Sequence, residues 1–316
     1  MHDLRTLLLI ALMFPPLAGG CGRDFAAKDS GKMVVAVTIV PHAWLVRQIG
    51  GDRVDVVTMV QPGESAELYQ PTDAQISQLA GAAAYLRVGM PLEESRGFRA
   101  ILAGGAIKVV DLREGIRLRE MAPHSHAEAC RDEGGIARES PAGNGSADRH
   151  CGKDPHVWLS PRLLVVQARA VAETLAELDP AHGEEYSRNL AELQRKLDDL
   201  DRTIRGTLAP FRGRAFIVYH PAWGYFADEY GLRQIAVETE GKEPSDRELT
   251  ELQRRAREEG AKVIFVQKQT AGRAAQALAE AIGGRTEVLG DLEYDVPASL
   301  LRAAKLLAES FGPAQK

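Results

Sequence analysis

The sequence predicts an α/β protein of two lobes, each with a four-stranded parallel sheet flanked by helices, joined by one long backbone helix. Three observations carry that expectation. Short β-branched runs alternate with helical patterns twice over, the spacing of parallel sheets covered on both faces. A single apolar stripe continues through residues 181–207, between the two alternating halves. The chain also has 316 residues, enough to bury two cores rather than one.

Residues 1–21 read as a leader. The apolar run 7–14 stands behind Arg5 and ahead of Pro15 and Pro16. A helix crossing a ~30 Å hydrocarbon core needs about 20 residues, so this short run is an export signal and not a span. The small residues before Cys21 are similar to a lipoprotein signal, in which the cysteine is acylated and becomes the mature amino terminus. Ala18 stands where leucine is usual there, and an ordinary signal-peptidase site nearby is the alternative. No later stretch can span, so a periplasmic or cell-surface monomer held by lipid at Cys21 is expected.

The N-terminal lobe is expected over 33–178, with strands at 33–40, 53–60, 83–88 and 107–110. Within it, 124–154 holds one large aliphatic residue, Ile136, among glycines, charges and His124, His126 and His150. Such a segment buries too little surface to offset its ordering entropy and is expected to be a mobile loop. The linker helix is expected over 179–208, entered by Asp179 as N-cap and Pro180 as first residue. Tyr186, Leu190, Leu193, Leu197, Leu200 and Ile204 recur at intervals of three and four and form its stripe. About three heptads are too few for a dimeric coiled coil, so the stripe should pack on both lobes. The C-terminal lobe follows over 209–316, with strands at 214–219, 232–237, 262–266 and 286–289.

A net charge of -5 without any lysine or arginine block argues against nucleic acid or anionic lipid as partner. Beyond Cys21, two cysteines remain. In an oxidising compartment Cys130 and Cys151 are read first as a disulfide closing a loop of about 20 residues, and otherwise as thiolate metal ligands.

Open parallel sheets bind ligands beyond the carboxyl ends of their strands. His42, Glu67 and, past the long loop, His156 follow strands of the first half. His220, Glu238, Gln267 and Asp291 each follow one of the second. If the lobes face one another, these side chains converge on one cleft. Imidazole nitrogens with carboxylate oxygens suit Zn²⁺, or Mn²⁺ and Fe²⁺ as oxygen donors come to dominate.

Two longer motifs carry a resemblance. Asp154-Pro155-His156-Val157-Trp158-Leu159-Ser160-Pro161 resembles the D-P-H-x-W-L-x-P signature of the metal-binding lipoproteins that serve ABC importers for zinc, manganese or iron. Tyr219-His220-Pro221-Ala222-Trp223-Gly224-Tyr225-Phe226 resembles that family's H-x-A-[FW]-x-Y-F segment. The stretch from Ile39 to Thr72 is similar to its first βαβ unit, and Leu289-Gly290-Asp291-Leu292 to the last-strand segment that supplies an aspartate ligand. The likeness spans nearly all of 33–311. It implies a metal ion held between two α/β lobes by four side chains, His156, His220 and Asp291 among them, and delivered to an ABC permease with its ATPase.

One departure matters. The family usually reads P-G-x-x-P-H-x-Y-E-P-T, and this chain has Glu67 where the first histidine is expected. Either Glu67 coordinates directly, which moves the site toward manganese or iron, or His42 swings in from the neighbouring strand end and restores three imidazoles. The second keeps the site zinc-like and is the expectation. The loop with His124, His126 and His150 also resembles the histidine-rich insert of zinc-specific members, an accessory metal loop that would raise local metal concentration.

A zinc hydrolase is the first rival, but there is no His-Glu-x-x-His helix and no Gly-x-Ser-x-Gly elbow, so no enzyme is expected. Receptors for siderophores or cobalamin share the architecture but would want aromatic or arginine-rich walls. An adhesin role is a third possibility.

Overall fold

The computed structural model describes residues 31–120, 153–238, 243–268 and 273–313. Two parallel sheets organise it. The first contains β1 (Met33–Val37), β2 (Val54–Thr58), β3 (Ala84–Arg87) and β4 (Lys108–Asp111) in the order β2-β1-β3-β4. The second repeats that order with β5 (Ala215–Val218), β6 (Arg233–Ala236), β7 (Val263–Val266) and β8 (Arg285–Val288), as β6-β5-β7-β8. The central strands β3, β5 and β7 are almost wholly buried, which is why they read as continuous apolar runs and not as alternating ones. In each sheet the chain reverses its direction of winding beside the first strand, the place where loops part and a ligand crevice opens.

The first strand is shorter than its apolar run. Pro41 is a poor ladder member but well suited to a helix's first turn, so α1 (Val40–Gly50) begins where the strand was expected to continue. The rest of the first half carries α2 (Asp73–Ala80), α3 (Pro91–Glu94), α4 (Arg96–Leu102) and α5 (Pro161–Leu178). Helix α2 starts at a capping box in which Thr72 and Gln75 satisfy one another's backbone amides. Gln75 also donates through Nε2 to the Met59 carbonyl at 2.6 Å, which fixes the loop between β2 and α2 from beneath.

The long helix α6 (Gly183–Leu208) has 26 residues, about 39 Å at 1.5 Å per residue. Its entry differs from expectation. Pro180–His182 form a 3₁₀ turn, and the Asp179 carboxylate accepts from His182 Nδ1 and the Tyr186 hydroxyl, both at 2.7 Å, in place of the helix amides. Tyr186, Leu193, Leu197, Leu200 and Ile204 of the stripe are buried and Leu190 is partly so. The stripe packs on α1 and α5 of the first half and on α7 (Gly224–Tyr230) and α10 (Val296–Phe311) of the second. Helices α8 (Asp246–Glu258) and α9 (Arg273–Ala281) cover the second sheet.

One apolar cluster runs from β1 through Trp158 and α6 to Phe226 and α10, so the two halves share a core. A second, smaller cluster fills the space between β5–β7 and α8–α9. A polar knot fastens α6 to α7. Arg205 donates to Asp201 at 3.0 Å and to Glu229 at 2.6 Å, and the Tyr230 hydroxyl donates to Asp201 at 3.1 Å. Among the described residues, no helix is long and apolar enough to cross a membrane.

Candidate metal centre

Four loops at the carboxyl ends of the strands bring the chemistry together. Glu67 lies between β2 and α2, and His156 immediately precedes a 3₁₀ turn, Val157–Leu159. His220 follows β5 by two residues, and Asp291 follows β8. The ring nitrogens His156 Nε2 and His220 Nε2 are 3.2 Å apart, and His220 Nε2 is 3.3 Å from Glu67 Oε1. Ligand atoms of these three residues all lie within 4.8 Å of one another. Tetrahedral donors about 2.0–2.1 Å from zinc stand roughly 3.3 Å apart, so these separations are edges of that polyhedron.

Each imidazole is aimed by a carboxylate behind it. Asp154 Oδ1 accepts from the His156 backbone amide at 3.0 Å and from its Nδ1 at 2.8 Å, the geometry that the Asp-Pro-His spacing allows. His220 Nδ1 donates to Glu238 Oε1 at 2.6 Å. With Nδ1 occupied in both rings, Nε2 is the nitrogen presented to the centre. Glu67 is steadied by Ser65, whose hydroxyl donates to Oε2 at 2.7 Å.

Asp291 is buried, and burial raises its carboxyl above the usual carboxylate range, opposed by the histidines His220 and His156. Gln267 Nε2 donates to its Oδ2 at 2.7 Å, and the Trp158 indole donates to its backbone carbonyl at 2.7 Å. Oδ1 is buried and has no hydrogen-bond partner. His220 is under opposing pressures. Burial lowers its pKa, but the Glu67 and Glu238 carboxylates, with Asp291 behind them, raise it to about 9.

His42, expected to complete the ligand set, packs elsewhere in this structure. His42 belongs to the first turn of α1, where its Nε2 accepts from Gln167 Nε2 at 3.2 Å and its ring meets the Trp158 edge at 5.9 Å. Complete burial pushes its pKa down to about 3. The group of Glu67, His156 and His220 includes neither His42 nor Asp291, although Asp291 interacts electrostatically with all three members. Cys21, His124, His126, Cys130, His150 and Cys151 lie outside the described residues.

Sequence reasoning placed Glu238 and Gln267 on the correct edge as possible ligands, yet both serve as supports, one for His220 and one for Asp291. It missed Ser65 and the indole of Trp158. The Trp158 contact joins the two halves across the cleft, and only the motif around it offered a signal.

A two-lobed fold with imidazoles and carboxylates converging between the sheets defines a metal-binding protein. The chain matches the family described as "ZnuA: Zinc-uptake complex component A periplasmic" over residues 35–300. It belongs to that family. It is 30% identical over 299 residues to the high-affinity zinc uptake system protein ZnuA of Bacillus subtilis, covering 91% of this chain and 88% of the relative. Among solved structures, a crystal structure of ZnuA superposes with a TM-score of 0.77 at 33% identity, covering 89% of this chain and 100% of that one. A ZnuA deletion mutant with zinc bound superposes with a TM-score of 0.76 at 32% identity, covering 90% and 100%.

Proposed function

We propose that this protein is an extracytoplasmic receptor that captures a divalent transition metal, zinc foremost, and delivers it to an ABC permease with its ATPase. The observation that carries the reading is the pair of imidazole nitrogens and a carboxylate oxygen spaced at 3.2 and 3.3 Å, each imidazole backed by its own carboxylate. The ligands are His156, His220, Glu67 and Asp291, two nitrogens and two oxygens. No reaction is part of this role. The lobes are 33–178 and 209–316 with the linker 179–208, and a lipid at Cys21 would keep the receptor beside its permease.

Calorimetric titration of chelator-stripped protein tests the reading. Zinc should bind tightly at a single cleft site, and His156→Ala and His220→Ala should each weaken it by at least about a hundredfold. Wild-type protein that ignores zinc would end it. The accessory loop with His124, His126 and His150 and the Cys130–Cys151 bond are parts of the same proposal, tested by deleting 124–150 and by thiol titration. The deletion should weaken uptake at scarce zinc and leave the cleft site intact.

A second reading has one observation in its favour. With Asp291 as the proposed fourth ligand, Glu67 in the histidine's place makes half the donors oxygen, which moves the site toward Mn²⁺ or Fe²⁺. Competing titrations with zinc and manganese separate the two.

A further inference from the structure

Resting on that receptor reading, we infer that Gln267 is a positioning residue that sets metal selectivity by keeping Asp291 a one-atom ligand. Asp291 is held at two points before any ion arrives. Trp158 Nε1 fixes its backbone carbonyl at 2.7 Å, and Gln267 Nε2 fixes its Oδ2 at 2.7 Å. The neighbouring Gly290 carbonyl is tied as well, by the Ser299 hydroxyl at 3.1 Å. A carboxylate only accepts, so the face of Gln267 turned to it must be the amide nitrogen, and an N–H directed at Oδ2 competes with any cation for that oxygen. Oδ1 is the oxygen left without a partner, and it is buried. It belongs to a carboxylate that interacts electrostatically with His220, Glu67 and His156 together.

The consequence is a coordination number. With one oxygen of Asp291 engaged by Gln267 and one oxygen of Glu67 engaged by Ser65, each of the four ligands offers a single atom. Four donors are what zinc takes in a closed site, whereas manganese favours more oxygen donors, which a carboxylate supplies by turning bidentate. Gln267 therefore counteracts the drift toward manganese that Glu67 introduces. Its own side chain is buried, and no solvent needs to enter for the restraint to act.

The test uses the full mature chain with zinc, manganese and cobalt. Gln267→Met keeps the length of the side chain and removes the donor. Gln267→Asn keeps an amide but stops one methylene short. Each should lower the ratio of zinc to manganese affinity by about tenfold, the effect of losing one hydrogen bond to a charged group. Cobalt reports geometry directly. The wild-type cobalt complex should show the intense visible bands of four-coordination, and the variants the weaker bands of five- or six-coordination.

A wild-type cobalt spectrum of higher coordination overturns the inference with no variant needed. So do variants whose metal ratio and cobalt bands match wild type. Asp291→Ala protein that binds zinc as wild type does would remove the ligand through which Gln267 acts and leave the receptor reading standing. Wild-type protein that binds neither zinc nor cobalt defeats the receptor reading itself, a different outcome from any of these.

Discussion

Zinc binding should expel a proton from His220, and the size of the effect follows from its surroundings. Burial lowers the pKa of this ring, but Glu67 Oε1 at 3.3 Å, Glu238 Oε1 at 2.6 Å and Asp291 reverse that and raise it to about 9. At pH 7 the metal-free ring is then protonated, and the neutral form that binds metal is roughly one part in a hundred. Displacing the proton weakens zinc binding by roughly a hundredfold at pH 7, about 2.7 kcal/mol. Zinc affinity should therefore rise about tenfold per pH unit from 7 to 9 and level off above. The metal-free protein should move the opposite way. A raised folded-state pKa contributes stability that is fully present below the unfolded value near 6.5 and is lost as pH rises through about 9. Calorimetry at pH 7 in buffers of different ionisation enthalpy should count close to one proton released from this ring. No release, or an affinity flat between pH 7 and 9, would refute the reasoning.

Three further outcomes are expected. Asp154→Ala removes the acceptor of His156 Nδ1 and should weaken zinc by about ten- to a hundredfold, measured by competition with a chromophoric chelator. His42→Ala should leave zinc affinity within about twofold of wild type. It should lower the unfolding free energy by about 2 kcal/mol in chemical denaturation, since it empties a buried site beside Trp158 and leaves Gln167 Nε2 without its partner. Because burial depresses His42 to about 3, its neutral form favours the folded state above the unfolded value near 6.5. That stability drains away as pH falls toward 3, and a denaturation series from pH 7 to 4 should flatten in the alanine variant. Glu67→His should raise the preference for zinc over manganese in paired titrations, and an unchanged preference would mean Glu67 is not a ligand.

Periodicity made the two sheets and the long helix legible, because β-branched runs bounded by helical patterns have few other ways to bury themselves. The boundaries were less so. Val40 continues an apolar run by composition, yet Pro41 turns it into the first turn of a helix, and this change decides His42's place. The same limit applied to the acids. Glu238, Gln267 and Asp291 all follow strands on one edge, and sequence position cannot tell a ligand from a side chain that holds a ligand. Reach decides that. Glu238 meets Nδ1 of His220 and so stands behind the ring, while Glu67 meets Nε2 of the same ring and so stands in front of it. Asp179 failed as a helix cap for a similar reason: two side-chain donors, His182 and Tyr186, satisfy its carboxylate.

The charges around the cleft bear directly on how it takes up a cation. Glu67 and Glu238 flank the His220 ring at 3.3 and 2.6 Å and Asp291 interacts with it electrostatically, while Asp154 has the Arg119 guanidinium 3.7 Å away. Against the lowering by burial, the Glu67, Glu238 and Asp291 carboxylates favour the protonated ring, whose pKa is raised to about 9. The ring lies between Glu67 from the first half of the chain, at Nε2, and Glu238 from the second, at Nδ1, and so links the halves. A divalent ion in the proton's place would add one further positive charge and would meet the same nitrogen and the same Glu67 oxygen. Capture would then exchange a proton for a metal ion, and acidification through the pKa near 9 should promote release.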